Sequence, residues 1–392
     1  MRLFNPASAP LPGEADAIHF VDVNQDECRS CAHCEGVCPT GAITRIKPNT
    51  PWCVHYIPDP VYCIACGQCL KECPGLAINE TVSFLEEIQQ KIADPEIVTV
   101  AMTAPSIRYT LGEAFGDDVS RYEAGKMFAA LRRLGFDKVW DVEFGADVTI
   151  MEESAELLAR IRGELDRPLP LLTSCCPAWI RYVETYHPSL IPNLSTARSP
   201  VQMLGALAKT YGAAEIGVNA EKLYTVQIMP CIAKKFEQLR IENAKSGLRD
   251  IDATIDTREL IQWLKDKEIN FDDLPDEQAD DPFRITTGAA TIFGATGGVM
   301  EAVLRRVVEV LDNKPLENVE FQTVRGTEGV REAEITAGEL TFKVAIVSGA
   351  VNADPICTAI EMRESTYVAV EVMACPGGCL NGGGQPIESE YI

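Results

Sequence analysis

Cysteine spacing constrains this chain before anything else does. Cys28, Cys31, Cys34 and Cys38, followed by Pro39, recur at an offset of 35 residues as Cys63, Cys66, Cys69 and Cys73, followed by Pro74. The chain has 15 cysteines, and twelve of them fall in tight groups. Metal sites explain such grouping better than a disulfide framework does in a chain of this length. Two Cys-x2-Cys-x2-Cys-x3-Cys-Pro runs read as thiolate ligands for two 4Fe-4S clusters. Zinc, the other metal that suits clustered thiolates, does not require the doubled run.

Each run matches that of bacterial ferredoxins, in which the fourth cysteine ligates the other cluster. One cluster then takes Cys28, Cys31, Cys34 and Cys73, and the other Cys63, Cys66, Cys69 and Cys38. Cys53 reads as a packed thiol, and His33 and His55 as polar fillers. Thr81 to Ala93 has helical periodicity and Pro95 ends it, which places a domain boundary nearby. The expected organisation is an N-terminal extension (1–23), a small α+β two-cluster ferredoxin-like domain (24–80) and a catalytic domain (81–392).

The formal charge of -23 argues against nucleic acid or an anionic membrane as partner, since both attract basic patches. It suits a cationic partner, or serves solubility alone. No apolar run reaches the roughly 18 residues of a membrane span. Met1 to Phe20 lacks the basic-then-apolar order of a signal peptide, so export, if it occurs, is expected to depend on another chain.

From Ile97 onward, strands and helices alternate as in an α/β domain. Strands are expected at Ile97–Met102, Lys138–Val142, Leu169–Thr173, Leu223–Met229, Val319–Val324, Leu340–Val347 and Tyr367–Met373. Helices are expected at Gly125–Leu134, Ile150–Ile161, Ser199–Tyr211, Arg258–Lys267 and from about Met300 to Leu311. The acidic stretch Asp272 to Asp281 reads as a solvated loop. Three strands run into cysteines: Cys175-Cys176, Cys231, and Cys375 with Cys379 across a Gly-Gly bend that lets backbone approach a bulky object. In open α/β sheets the ligand crevice lies at the carboxyl ends of strands, so these ends suit one metal site.

Thr173-Ser174-Cys175-Cys176-Pro177-Ala178-Trp179, then Met229-Pro230-Cys231 with Lys234 and Glu237, then Met373-Ala374-Cys375-Pro376-Gly377-Gly378-Cys379 resemble the three signatures of iron-only (FeFe) hydrogenases, in that family's order. The resemblance covers about residues 24 to 386. It implies a two-lobed catalytic domain with mainly parallel sheets. It also implies a third 4Fe-4S cluster on Cys176, Cys231, Cys375 and Cys379. Cys379 would bridge that cluster to a two-iron subcluster carrying CO, CN and an azadithiolate. Lys234 would hydrogen-bond a cyanide, and Ala104, Pro105 and Ser106 would supply further donors. Met229, Phe293 and Met373 would wall the pocket, and the glycine loop 292–300 would approach the cofactor closely. Protons would pass from Cys175 through Glu153 and Ser195 to Glu156, with Arg160 at the exit. Glu153, Glu156 and Arg160 lie at i, i+3 and i+7, one face of a helix, which by itself fits an ordinary charged face.

The resemblance implies reversible oxidation of dihydrogen. It further implies the large subunit of a heterodimer, because the segment after Cys379 is short, with a small partner subunit and maturation proteins that build the two-iron unit. A periplasmic location is expected with export alongside that subunit, a cytoplasmic one being the alternative. A multihaem cytochrome c suits the acidic surface better than a ferredoxin. Two rival readings keep the cysteines: an iron-sulfur scaffold protein without the two-iron unit, and a hydrogen sensor without rapid turnover. His187, Cys357 and Glu237 read as structural.

Overall fold

The computed structural model describes residues 18–46, 55–116, 122–280, 282–283, 286–316, 321, 324 and 329–387. In chain order its strands are β1 (Val21–Val23), β2 (Ile43–Ile46), β3 (His55–Pro58), β4 (Ile78–Glu80), β5 (Val98–Thr103), β6 (Lys138–Asp141), β7 (Leu171–Leu172), β8 (Leu223–Met229), β9 (Ala253–Asp256), β10 (Val330–Ala337), β11 (Leu340–Ser348) and β12 (Tyr367–Met373). They belong to two compact units. The first comprises Met1–Val142, Leu204–Ile285 and Gly382–Ile392, and the second Glu143–Met203 and Thr286–Asn381. The ferredoxin-like segment lies within the first unit.

That segment folds as the sequence repeat requires. Two antiparallel pairs, β1 with β4 and β2 with β3, frame two short helices, His33–Val37 and Gln68–Lys71. Ser30, Ala32 and Gly41 take positive φ, and so do Ala65, Gly67 and Leu76, each 35 residues on. Left-handed backbone costs a residue with a Cβ roughly 1–2 kcal/mol. Its recurrence at matched places in both copies marks loops shaped for their thiols. Two backbone amides already point at sulfur: the Ala65 N–H donates to Cys63 Sγ (3.4 Å) and the Ala77 N–H to Cys73 Sγ (3.3 Å).

The rest of the first unit is a parallel sheet in the order β6-β5-β8-β9. All seven residues of β8 are buried, as befits a central strand covered on both faces. Asp256 and Glu259 form a reciprocal capping box that starts the helix Thr257–Asp266. The acidic loop differs from expectation: Glu277 and Asp280 pair with Arg132, and the Val139 N–H donates to Asp280. Its charges pin the loop to the edge of β6 instead of being merely solvated.

The second unit holds the sheet β10-β11-β12-β7. β10 and β11 form an antiparallel hairpin turning at Gly338, whose φ is 58°, while β11, β12 and β7 run parallel. The helices Glu143–Ile161 and Gly298–Asp312 contribute Ile150, Leu157, Val303 and Val307 to one apolar cluster, against Val344 and Ile346 of β11. The first of these helices starts seven residues before the expected Ile150. β10 was not anticipated: Ala333, Ile335 and Ala337 face inward between exposed polar residues. The strand expected at Val319–Val324 lies outside the described residues except for Phe321 and Val324. The helix expected at Ser199–Tyr211 is regular over Pro200–Leu207 and continues as a wider turn, Ala208–Gly212.

Candidate active site and metal centres

In the ferredoxin-like segment Cys28, Cys31, Cys34 and Cys73 line one small pocket, together with Tyr56 and Gly75. Burial pushes the Cys34 thiol up to about 11, and the nearby Cys73, Cys28 and Cys31 add to the rise. Burial likewise raises Cys69, with Cys63 and Cys38 next in effect, and raises Cys66 beside Cys69, Cys63 and Cys38. Mutual repulsion among crowded thiolates is what a bound cation relieves, so the donor sets fit iron-sulfur clusters. No described cysteine is in a disulfide. Cys31 is exposed, whereas Cys66 and Cys69 are each only 8% exposed. Cys34 of the first set is buried too, and the second set is the inner one because its Cys66-Gly67 turn packs against Ile232 and Gly383.

In the first unit β5 ends at Thr103, and Ala104, Pro105 and Ser106 follow as a buried turn, with the Ala104 N–H donating to the Ile228 carbonyl at 3.1 Å. β8 ends at Met229 and delivers the buried Cys231. Lys234 is buried, and its Nζ donates to Glu237 Oε2 at 2.8 Å. Glu237 is therefore the residue that steadies Lys234, and the Asn243 side chain donates to the Glu237 carbonyl (2.9 Å) to steady it in turn.

In the second unit β7 leads to Cys175-Cys176 and β12 to Cys375. Cys175 and Cys176 pack against the apolar cluster that contains Phe293 and Met373. Gly377 and Gly378 have φ of 79° and 96°. A Cβ on Gly378 would stand 2.6 Å from the Thr296 nitrogen, whereas one on Gly377 would meet nothing within 4 Å. The bend between Cys375 and Cys379 is thus wedged on one side and roomy on the other, as a thiolate-bound cluster needs. Two glycines of the loop 292–300 make room for the protein's own backbone. A Cβ on Gly298 would lie 1.8 Å from the Ile292 carbonyl oxygen and one on Gly297 2.1 Å from that of Val324. The protein's own backbone fills that space.

Glu153, Glu156 and Arg160 share one buried helix face. Glu153 has no exposed surface, and burial moves its carboxyl from 4.5 to about 7, the Ser195 hydroxyl and the Ser174 N–H offsetting part of the rise. Burial also acts on Glu156, but Arg160 and Thr196 outweigh it and hold this carboxylate below its ordinary range. Glu156 Oε2 accepts from the Thr196 N–H and hydroxyl, each at 2.8 Å, and from Ser195 Oγ at 3.3 Å. Arg160 is buried: it grips Glu156 Oε1 and donates to the carbonyls of Pro168, Asn193 and Leu194. Cys175 lies near Glu153; burial and then that carboxyl push the thiol well above its ordinary value, which favours the S–H form.

Sequence reasoning missed Glu371. It is fully buried in β12, and its two oxygens accept the Gly297 and Met300 N–H groups at 2.6 Å each, at the start of the helix Gly298–Asp312. Burial lifts it to about 7 against those bonds. A single acid in the apolar run Val368-Ala-Val-Glu371-Val-Met373 was the available signal. His187 lies 3.3 Å from both Glu361 and Asp354, and Cys357 is buried.

The family described as "Iron only hydrogenase large subunit, C-terminal domain" matches residues 97–383, and the "4Fe-4S binding domain" matches residues 21–44. The chain is 48% identical over 374 residues to the periplasmic Fe hydrogenase large subunit of Nitratidesulfovibrio vulgaris, covering 95% of this chain and 88% of that protein. It is 45% identical over 313 residues to iron hydrogenase 1 of Clostridium pasteurianum, covering 80% of this chain and 54% of the longer relative. A more distant similarity, 31% over 347 residues, joins it to cytosolic iron-sulfur assembly component 3 of Pongo abelii, over 82% of this chain and 70% of that protein. Among solved structures, a variant of the FeFe-hydrogenase HydA1 from Chlamydomonas reinhardtii superposes with a TM-score of 0.70 at 35% identity, over 79% of this chain and 86% of that one. The chain belongs to the iron-only hydrogenases, within their large-subunit family.

Proposed function

We propose that this chain catalyses the reversible oxidation of dihydrogen to two protons and two electrons. Cys176, Cys231, Cys375 and Cys379 would hold a third 4Fe-4S cluster, with Cys379 also serving a two-iron subcluster. When bound, that subcluster, with its CO, CN and azadithiolate, supplies the hydrogen chemistry. The chain's residues do the rest. Cys28, Cys31, Cys34 and Cys73 hold the outer ferredoxin cluster, and Cys63, Cys66, Cys69 and Cys38 the inner one. Lys234, steadied by Glu237, offers a charge-assisted donor, while Ala104, Pro105, Ser106, Met229, Phe293 and Met373 shape the pocket wall.

The observation that carries the reading is the buried run beside Cys175. Burial holds the Glu153 carboxyl at about 7, it has no ion pair among the described residues, and Ser195 donates to Glu156, whose carboxylate is held below its ordinary range. The Ser195 hydroxyl donates to Glu156 at 3.3 Å and also interacts with Glu153; by taking up the Glu153 proton as it gives its own to Glu156, it would pass one proton outward. Arg160 holds the end of the route in place. An iron-sulfur scaffold has no need of such a route, although distant relatives bear an assembly name.

The Nitratidesulfovibrio relative is named as a periplasmic large subunit, which supports a small partner subunit, export with it to the periplasm and dependence on maturation proteins. Among the described residues no helix is long and apolar enough to cross a membrane. The charge of -23 favours a basic multihaem cytochrome c over a ferredoxin as electron partner.

Infrared spectroscopy of anaerobically matured protein tests the reading. Bands of metal-bound CO and CN, with hydrogen uptake and evolution on a dye, are the expected outcome. Full cubane iron without those bands, after co-expression with maturation proteins, would overturn it in favour of the scaffold; bands with slow turnover would indicate a sensor.

A further inference from the structure

Three glycines of the first unit leave no room for a side chain. A Cβ on Gly67 would lie 2.6 Å from Ile232 Cδ1 and 2.8 Å from Gly383 Cα. One on Gly383 would lie 2.1 Å from the Cys66 carbonyl oxygen, and one on Gly384 would lie 2.7 Å from the Cys231 nitrogen. The backbone at 383–384 is therefore pressed between the Cys66-Gly67 turn on one side and Pro230-Cys231 on the other. The Gly384 N–H donates to the Pro230 carbonyl at 2.9 Å and closes the inner contact.

A buried ionic network holds this strap. Arg258 Nη1 donates to the Gly383 and Gln385 carbonyls at 2.6 and 2.8 Å, and its backbone N–H donates to the Gly384 carbonyl at 3.3 Å. The same guanidinium pairs with Glu80, the last residue of β4, and with Asp256. Lys235, with no exposed side-chain surface, joins Glu80 (2.6 Å) and Glu259 (2.8 Å). Burying so many charges is a poor way to gain stability, since apolar residues of similar volume do as well. Such networks are better suited to fixing one register, and the register fixed here is that of Cys66 against Cys231.

We propose that the Gly67–Gly383–Gly384 contact, clamped by Arg258, is a spacer. It sets the separation between the inner ferredoxin cluster and the cluster that Cys231 helps to hold, and so governs the passage of single electrons between them. The inference rests on the cluster assignment proposed above. Each dihydrogen oxidised leaves two electrons, which pass one at a time from the reduced cluster at Cys231 to the oxidised cluster of Cys63, Cys66, Cys69 and Cys38. In the test below methyl viologen finally takes them up. Electron tunnelling falls steeply with separation, and any Cβ at these positions forces the two loops apart.

The test compares Gly383→Ala, Gly384→Ala and Arg258→Lys with wild type, with Gly288→Ala as control because a Cβ there meets nothing within 4 Å. Pulsed electron paramagnetic resonance on protein carrying cubanes but no two-iron unit reads the spin coupling between reduced clusters. Matured protein is then assayed for hydrogen–deuterium exchange, which needs no electron to leave, and for dihydrogen oxidation by methyl viologen. Weakened coupling, intact exchange and dye-linked oxidation lowered roughly tenfold to a hundredfold, the size of effect a small misplacement brings, are expected for the glycine variants. Arg258→Lys, which keeps the charge but loses the two-carbonyl fork, should show the same pattern more weakly and serves where an alanine variant does not fold. Wild-type coupling with wild-type dye-linked rate would overturn the spacer, as would exchange falling in step with dye reduction. Absence of CO and CN bands would sink the hydrogenase reading instead, and the cubane coupling would still decide the spacer.

Discussion

Glu80 in the first unit and Glu153 in the second are both carboxyls withdrawn from water, and the chain holds them in opposite states. Burial pushes Glu80 up, yet Lys235, a hydrogen bond with Asp256, and Arg258 bring it down to about 2. Glu153 has a hydroxyl and a backbone N–H as hydrogen-bond partners, and burial leaves it at about 7. Ion pairs with Lys235 and Arg258 turn the first into a fixed strut; without an ion pair among the described residues, the second is left able to take up and release a proton near neutrality. On the proposed function, the difference would separate a residue that shapes the path of electrons from one that moves protons.

The largest effect is expected at Glu153. Glu153→Gln keeps the shape but not the titration, and dye-linked turnover should fall roughly 10²- to 10⁴-fold, the usual weight of a positioned proton-transfer group, with the CO and CN bands retained. Glu80→Gln should do the reverse: it removes a counter-charge from Lys235 and Arg258, lowering stability by about 3 kcal/mol, while hydrogen–deuterium exchange in the folded fraction stays intact. Thermal melts and exchange rates measured on both variants check the contrast. Equal loss of exchange in the two would erase it.

The same two residues predict opposite responses to pH. The fold favours the neutral acid at Glu153 and at Glu371, each raised from 4.5 to about 7. Their stabilising contribution is complete below the unfolded value and is lost as pH rises through the folded one, up to about 3 kcal/mol apiece. Glu80, lowered from 4.5 to about 2, contributes above its unfolded value and loses that only as pH falls through the folded one. Denaturant midpoints between roughly pH 5 and 8 should therefore decline for wild type and flatten for Glu153→Gln and Glu371→Gln. An unchanged slope in both variants would show that neither acid is held neutral.

What could be read from the sequence was what local spacing encodes. The doubled cysteine run specified two loops of matching backbone, and apolar runs ending in cysteines specified β8 and β12, whose bounds, Leu223–Met229 and Tyr367–Met373, are those expected. Charges were harder, because a charged residue reads as solvated unless its partner is known. Arg258 and Glu80 stand 178 positions apart, and nothing local announces their pairing. Glycines were ambiguous for a related reason: Gly297 and Gly298 make room for the protein's own carbonyls, whereas the bend at Gly377 has open space beside it. Sequence shows that backbone must come close to something, and the fold shows to what.

Ser195 offers the finest test, since it stands between a mobile carboxyl and a fixed one. Glu156 does not depend on it for its charge: Thr196 supplies two bonds at 2.8 Å against the 3.3 Å of Ser195, and Arg160 pairs with the other oxygen. Ser195→Ala should therefore cost only about 1 kcal/mol of stability, and turnover should fall roughly tenfold, the weight of one hydrogen bond as long as this. Ser195→Thr, which keeps the hydroxyl, should restore most of that turnover. A fall as deep as that of Glu153→Gln would make the hydroxyl an obligatory carrier. No fall at all would mean that protons leave Glu153 by another way, and Glu156 with Arg160 would then be a strut of the same kind as Glu80 with Arg258.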